Sequence, residues 1–290
     1  MTLFRRLLPK TAAPGEPSVP TGHRVYAIGD IHGRLDLLEQ LLGQIESDIA
    51  RRGPARNFII FLGDLIDRGP ASAEVVERLR TYNPVDAKPV FLGGNHEEVL
   101  LRVLRGEGGL IQDWLRFGGA ECARSYGIDP VALRRGRPAD AVAMLGERIP
   151  EEHKRFLHSF GDTFRIGDYL FVHAGLRPGI PLGEQSQADL RWIRNPFLEC
   201  GDDHGFVIVH GHTISSEVDV RHNRIGLDTG AYRTGVLTAL GLEGKERWYL
   251  QTGPDGGSQS GVSRVDAGHS ASGRVDRPGV AAFQEERCSD

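Results

Sequence analysis

The chain has 290 residues, 39% hydrophobic and 26% charged, with a mean hydropathy of −0.30. That is enough apolar material for one large α/β domain and excludes a wholly disordered chain. The formal net charge of −4 gives no electrostatic reason to expect nucleic acid or an anionic membrane as partner, and no apolar run approaches the ~18 residues of a membrane span.

In chain order, residues 1–22 carry Pro9, Pro14, Pro17 and Pro20 among small residues and read as a disordered N-terminal segment. Arg5, Arg6 and Pro9 break their apolar part, leaving it too short for the ~7–15 residues of a signal-peptide core. Residues 24–28, 57–62 and 89–92 are apolar runs without period-two alternation, as expected of strands covered on both faces. Leu35, Leu37, Leu38, Leu41, Leu42, Ile45 and Ile49 share one helical stripe, and residues 74–82 form a second amphipathic pattern, giving β-α-β-α-β over 24–105. Residues 95–160 read as largely helical, with Gly118, Gly119 and Gly127 as breaks and Pro130 as a stop. Strand-like runs resume at 168–172, 206–209, 224–228, 236–242 and 247–250. Residues 252–290 read as a disordered tail, because residues 251–290 contain seven Gly, six Ser and two Pro with few large apolar side chains. The expected domain is therefore 23–251. Cys122, Cys200 and Cys288 are odd in number and form no CxxC pair, arguing against disulfides and a thiolate metal site and for a reducing, cytoplasmic setting.

Five apolar runs end in Gly with Asp, Asn or His: GDIHG (29–33), GDLIDRG (63–69), GGNHE (93–97), HAG (173–175) and HGHT (210–213). Asp30 to Asp64 spans 34 residues and Asp64 to Asn95 spans 31, each close to one β-α-β unit, so consecutive clusters return to the same sheet edge. Ligands bind at the carboxyl ends of parallel strands, so the five clusters are expected to converge on one site. Each cluster alone reads more simply as a helix cap or loop. Together they collect Asp30, His32, Asp64, Asn95, His173 and His212, oxygen and nitrogen donors that suit Mn, Fe or Zn and exceed the needs of one four-coordinate ion. Two metals bridged by a carboxylate follow.

GDIHG, GDLIDRG and GNHE, then HAG and GHT, resemble the PPP branch of the metallophosphoesterases, specifically bacterial and phage serine/threonine protein phosphatases, over about residues 24–250. The resemblance implies an α/β fold, the calcineurin-like four-layer αββα sandwich, with a dinuclear metal site at the strand C-terminal ends. It implies that Asp30, His32 and Asp64 hold one ion, and that Asp64, Asn95, His173 and His212 hold the other. Manganese is the expected metal, with iron or zinc as alternatives. It further implies a bridging hydroxide that attacks phosphorus in line, His96 as the acid that protonates the leaving oxygen, Asp67 as the carboxylate that orients it, and Arg68 and Arg194 as phosphate ligands. Arg191 reads as structural or solvated, and His210 as lying beside the ligands or at the strand end. Tyr232 reads as packing, with a place in the cleft left open. The other histidines read as structural or surface residues.

Function is accordingly expected to be serine/threonine phosphoprotein phosphatase, with phosphotyrosine acceptance open, acting as a cytoplasmic monomer on a phosphoprotein with no nucleic-acid or membrane partner. The alternative is a symmetrical dinucleoside tetraphosphate hydrolase, a group in which alanine usually stands at the position of Asp67. A nuclease-like member would place a second histidine where Ile214 stands. A third alternative, an inactive phosphatase-like binding module, would have lost ligands, and none is lost. Substrate choice is expected to lie in residues 106–150 and 176–200.

Overall fold

A computed structural model describes residues 16–107 and 109–253. Its strands are β1 (His23–Ile28), β2 (Arg56–Phe61), β3 (Ala87–Phe91), β4 (Thr163–Ile166), β5 (Tyr169–Val172), β6 (Val207–His210), β7 (Asp219–Val220), β8 (Arg224–Gly226), β9 (Thr238–Glu243) and β10 (Glu246–Gln251). They form two five-stranded sheets, ordered β10-β9-β1-β2-β3 and β4-β5-β6-β8-β7. The triplets β1-β2-β3, at one side of the first sheet, and β5-β6-β8, at the centre of the second, are parallel; β9 and β10 join the first sheet and β4 and β7 flank the second in antiparallel pairing.

Alternate residues of each strand point to opposite faces, and this separates the cores. Val25, Ala27, Phe58 and Ile60 meet Tyr169, Phe171, Val207 and Val209 between the sheets. Tyr26, Ile28, Ile59 and Phe61 face the other way, onto α1 (Leu35–Arg51), α2 (Ser72–Arg80) and the helices that follow. Leu170, Val172 and Ile208 face outward from the second sheet, under Leu190, Ile193 and Phe197. The result is the αββα order expected from the resemblance, with a fourth layer reduced to a short helix and its loops.

The middle of the chain comprises α3 (Asn95–Leu104), α4 (Leu110–Trp114), α5 (Ala120–Ser125), α6 (Pro130–Arg135), α7 (Pro138–Arg148) and α8 (Glu151–His158); α9 (Gln187–Trp192) and α10 (Ala231–Thr234) come later. Pro130 does not stop a helix. It opens α6 at the first position, where its missing N–H is not needed, and the Asp129 carboxylate accepts the Val131 N–H at 2.9 Å. Gly118 does break the helical run, as expected: Phe117 (φ −91°, ψ 17°) and Gly118 (φ +116°, ψ −6°) are non-helical, and the chain kinks over Leu115–Gly119 between α4 and α5. The short strands β4 and β7 are additions to the elements expected from the sequence.

The N-terminal flank expected through residue 22 ends earlier. Val19 is 2% exposed in the core between the sheets, its N–H donates to the Gly244 carbonyl, and Ser18 donates twice to the Asp168 carboxylate. One apolar residue with a place in the core is sufficient to dock a Pro-rich segment. Residues 1–15 and 254–290, the remainder of the two expected flanks, lie outside the described residues. No described helix is long and apolar enough to cross a membrane.

Burying a valine side chain contributes about 1.5–3 kcal/mol. A chain beginning at residue 21 should therefore melt roughly 3–10 °C below one beginning at residue 16. Equal midpoints in differential scanning calorimetry would show that the segment contributes nothing.

Candidate metal centre and phosphate site

All five sequence clusters converge at one end of the paired sheets. GDIHG follows β1, GDLIDRG follows β2 and GGNHE runs from β3 into α3, so the first sheet supplies Asp30, His32, Asp64, Asp67, Asn95 and His96. The second sheet supplies His173 after β5 and His212 after β6. Close approach of these turns requires glycine. A Cβ on Gly63, whose φ is +100°, would lie 2.6 Å from the Gly94 nitrogen, and a Cβ on Gly94 would run into the Asp64 carboxylate.

Asp64 sits at the centre. His32, Asp64 and His96 form one group and Asp64, His173 and His212 another, with donor atoms within 4.8 Å in each. All five are buried. Burial works against the charged form of Asp64, yet the surrounding imidazoles, His173 foremost, hold its carboxyl well below the ordinary carboxylate range. Burial in turn lowers His32, His173 and His212, the last to about 2, so these rings are neutral and have a lone pair to give.

Which nitrogen gives it is fixed by the backbone. His32 Nδ1 lies 2.8 Å from the Ile66 carbonyl and His173 Nδ1 lies 2.8 Å from that of Leu62. A carbonyl only accepts, so the proton is on Nδ1 and the lone pair on Nε2 faces the site. His32 Nε2 and His212 Nε2 are buried with no partner. His173 Nε2 stands 3.0 Å from Asn95 Oδ1, which is also 2.9 Å from His212 Nδ1. Lone pairs turned toward one another and toward a carboxylate are the environment a divalent cation satisfies, and the residues present fit such ions.

Asp30 belongs to neither close group. Its carboxylate accepts the His212 N–H at 3.1 Å, and burial together with the neighbouring Asp228 carboxylate pushes it well above the usual carboxylate range. Asp228, 1% exposed and with Oδ2 unpartnered, escaped the sequence analysis because it reads as the end of the strand-like run 224–228, with no histidine beside it. Glu97 was missed as well. Its carboxylate accepts the backbone N–H groups of Asp64, Leu65 and Gly94 at 2.8–2.9 Å, which ties the second cluster to the third. Burial raises it to about 7, the Asp64 charge adding to the shift.

Beside the groups, His96 Nδ1 lies 2.7 Å from Asp67 Oδ2. Burial alone would lower His96, but the Asp64 and Asp67 carboxylates raise it above the ordinary histidine value. Arg68 Nη2 is 3.1 Å from His96 Nε2, and its guanidinium lies over the Tyr232 ring, whose edge meets His32. Tyr232 thus lines the site. Arg194 is exposed and near enough to His212 to lower it further. Arg191 is held by Asp162 at 2.7 Å and by Glu98 at 3.6 Å, consistent with a structural role. His210 is buried away from both groups, its Nδ1 near the Gly211 carbonyl and its ring against Phe197, and burial lowers it to about 4. His153 joins Tyr126 to Glu77 far along the chain. His269 and Cys288 lie outside the described residues.

His32, Asp64, Asp67, Arg68 and His212 all have φ between +47° and +70°, and they are the non-glycine residues in that region among those described. Backbone strain concentrates where function requires it.

Residues 23–236 match the family described as calcineurin-like phosphoesterase. The chain belongs to that family. Among curated relatives, it is 28% identical over 234 residues to an asymmetrical bis(5'-nucleosyl)-tetraphosphatase of Halalkalibacterium halodurans, covering 73% of this chain and 87% of that protein. It is 39% identical over 282 residues to a symmetrical bis(5'-nucleosyl)-tetraphosphatase of Methylococcus capsulatus, covering 81% and 97%. Among solved structures, a putative diadenosine tetraphosphatase superposes with a TM-score of 0.55 at 21% identity, covering 82% of this chain and 98% of that one. A cold-active protein-tyrosine phosphatase of a Shewanella species gives 0.51 at 19%, covering 87% and 86%. These structural likenesses support the fold.

Metal-stripped protein titrated with Mn²⁺ should take up two equivalents by calorimetry and elemental analysis, and Asp64→Ala should lose most of that uptake. Metal at 100 times its dissociation constant should add about 2.7 kcal/mol to the unfolding free energy. An unchanged melting curve would count against a built centre.

Proposed function

We propose that this chain is a metal-dependent hydrolase of dinucleoside polyphosphates that cuts a phosphoanhydride bond of a bis(5'-nucleosyl) tetraphosphate. The observation that carries this reading is the likeness, along about three quarters or more of the chain, to relatives named for that activity. It reverses the order of the two readings drawn from the motifs. Aspartate rather than alanine at position 67 favoured the phosphoprotein, but one residue inside a shared motif bears on proton delivery and does not shape the groove that chooses a substrate.

In this reading Asp30, His32, Asp64, Asn95, His173 and His212 hold two divalent ions, manganese first, which when bound supply an activated water and neutralise phosphoryl charge. Arg68 and Arg194 offer planar forks to phosphate oxygens. Arg68 also guards His96, because a guanidinium can donate to Nε2 only while the ring is neutral. When Arg68 turns to substrate phosphate, Nε2 is free to carry a proton toward the leaving oxygen, with Asp67 holding the opposite nitrogen.

That pair supports a second reading, hydrolysis of a phosphoserine or phosphothreonine protein. A nucleotide leaving through a terminal phosphate oxygen needs little protonation, whereas a serine alkoxide needs a full proton, and a buried histidine raised by two carboxylates supplies one. Rates measured side by side on diadenosine tetraphosphate and on phosphoserine, phosphothreonine and phosphotyrosine peptides decide between them. The primary reading predicts the highest kcat/KM on the dinucleotide; a preference for phosphopeptides would overturn it. Chelation should abolish either activity, with recovery best in manganese.

His96→Asn should cost roughly 10²- to 10⁴-fold on a poor leaving group and much less on the dinucleotide. On the poor leaving group, the rate should fall on the alkaline side, above the ordinary histidine pKa, as His96 loses its proton. A flat alkaline limb in the parent, or equal losses on both substrates in the variant, would remove His96 from the role of acid.

A further inference from the structure

The carboxylate that orients His96 has a second donor that neither the motifs nor the family match assigns. Trp114, at the end of α4 and 2% exposed, directs its indole Nε1–H to Asp67 Oδ1 at 3.2 Å, while Asp67 Oδ2 faces His96 Nδ1 at 2.7 Å. Asp67 therefore has one oxygen for each partner, and rotation about its Cβ–Cγ bond would break both contacts at once. Its backbone is fixed too, with φ at +70° and the N–H donated to Ser72 Oγ at 3.0 Å.

The turn after Trp114 is shaped around this contact. A Cβ on Gly119 would lie 2.5 Å from the indole nitrogen and closer still to the ring carbons, so the indole lies flat on a bare backbone. Gly118, at φ +116°, accepts the Arg68 N–H at 3.0 Å through its carbonyl, and a Cβ there would stand 2.6 Å from Arg68 Cγ. The segment Trp114-Leu-Arg-Phe-Gly-Gly119 thus seats two adjacent residues of the site, Asp67 through a side chain and Arg68 through the main chain.

We propose that Trp114 is a positioning residue for proton delivery, which fixes the Asp67 carboxylate so that His96 presents Nε2 to the leaving oxygen. The inference rests on the reading of His96 as the acid. It accounts for an indole N–H, otherwise expensive to bury, being directed at a carboxylate already engaged by an imidazole.

The test uses the full-length, manganese-loaded protein and a series of aryl phosphates of increasing leaving-group basicity. Trp114→Phe keeps an aromatic ring, though a smaller one, and removes the donor. It should lower kcat roughly tenfold on phenyl phosphate, the size expected for one hydrogen bond to a charged group, and hardly at all on p-nitrophenyl phosphate, with KM and manganese content unchanged. In a His96→Asn background it should cost nothing further, since residues acting through one another are non-additive. A loss equal across the series, or one that multiplies with His96→Asn, would overturn the proposal for Trp114. Absence of leaving-group dependence in His96→Asn itself would instead overturn the acid assignment, and the role of Trp114 with it. Should Trp114→Phe fail to fold, NMR of the three ¹⁵N-labelled indoles reads the contact in the parent protein. Asp67→Asn should shift the Trp114 N–H signal and leave those of Trp192 and Trp248 in place, whereas an unmoved Trp114 signal would overturn the proposal.

Discussion

The arrangement of this molecule depends on charge placed where water cannot reach it. Asp30, Asp64, Asp67, Glu97 and Asp228 are each 2% exposed or less, within a site whose imidazoles are themselves buried and three of them neutral. An isolated carboxylate in such surroundings costs several kcal/mol. Part of that cost is offset locally, by backbone N–H groups donated to Glu97, Asp30 and Asp64. For Asp30 and Glu97 a raised pKa relieves part of the remainder, and bound cations would relieve more. Since the first sheet supplies four of these carboxylates and the second supplies Asp228 and two of the imidazoles, closing the seam between the sheets assembles the site.

Much of this was legible in the sequence for a simple reason. A buried parallel strand is written as an uninterrupted apolar run, and its carboxyl end is marked by the first polar residue after it. Repetition of that mark at β-α-β spacing located Asp30, Asp64 and Asn95 before any geometry was known, and the same logic found His173 and His212. What stayed hidden was whatever acts across the chain. Glu97 reads as an ordinary first-turn acid until the fold brings it under the Asp64 turn. Trp114 is not singled out at all, because its N–H partner lies 47 residues away. Val19 was hidden by its prolines, and Pro130 misled because a helix stop and a helix start carry the same residue.

Substrate choice was the least legible property, for a physical reason. Any phosphoryl centre presents the same oxygens and the same charge, so the groups that bind it look alike whether the leaving group is a nucleotide or a side-chain alkoxide. The difference lies in the basicity of the leaving oxygen and in the contacts made beyond phosphorus. The former bears on the proton held between Asp67 and His96, while the latter falls to loops with no repeated pattern to read.

The five left-handed residues of the site carry a consequence for how this chain can change over generations. Each holds a conformation that costs on the order of 1–3 kcal/mol for a residue with a side chain, and glycine would adopt it freely. Selection for heat resistance alone would reward glycine at 32, 64, 67, 68 and 212, the positions whose side chains build the site. A stabilised variant that keeps the site must therefore draw its gain from elsewhere, from loops, helix surfaces and the thin outer layer.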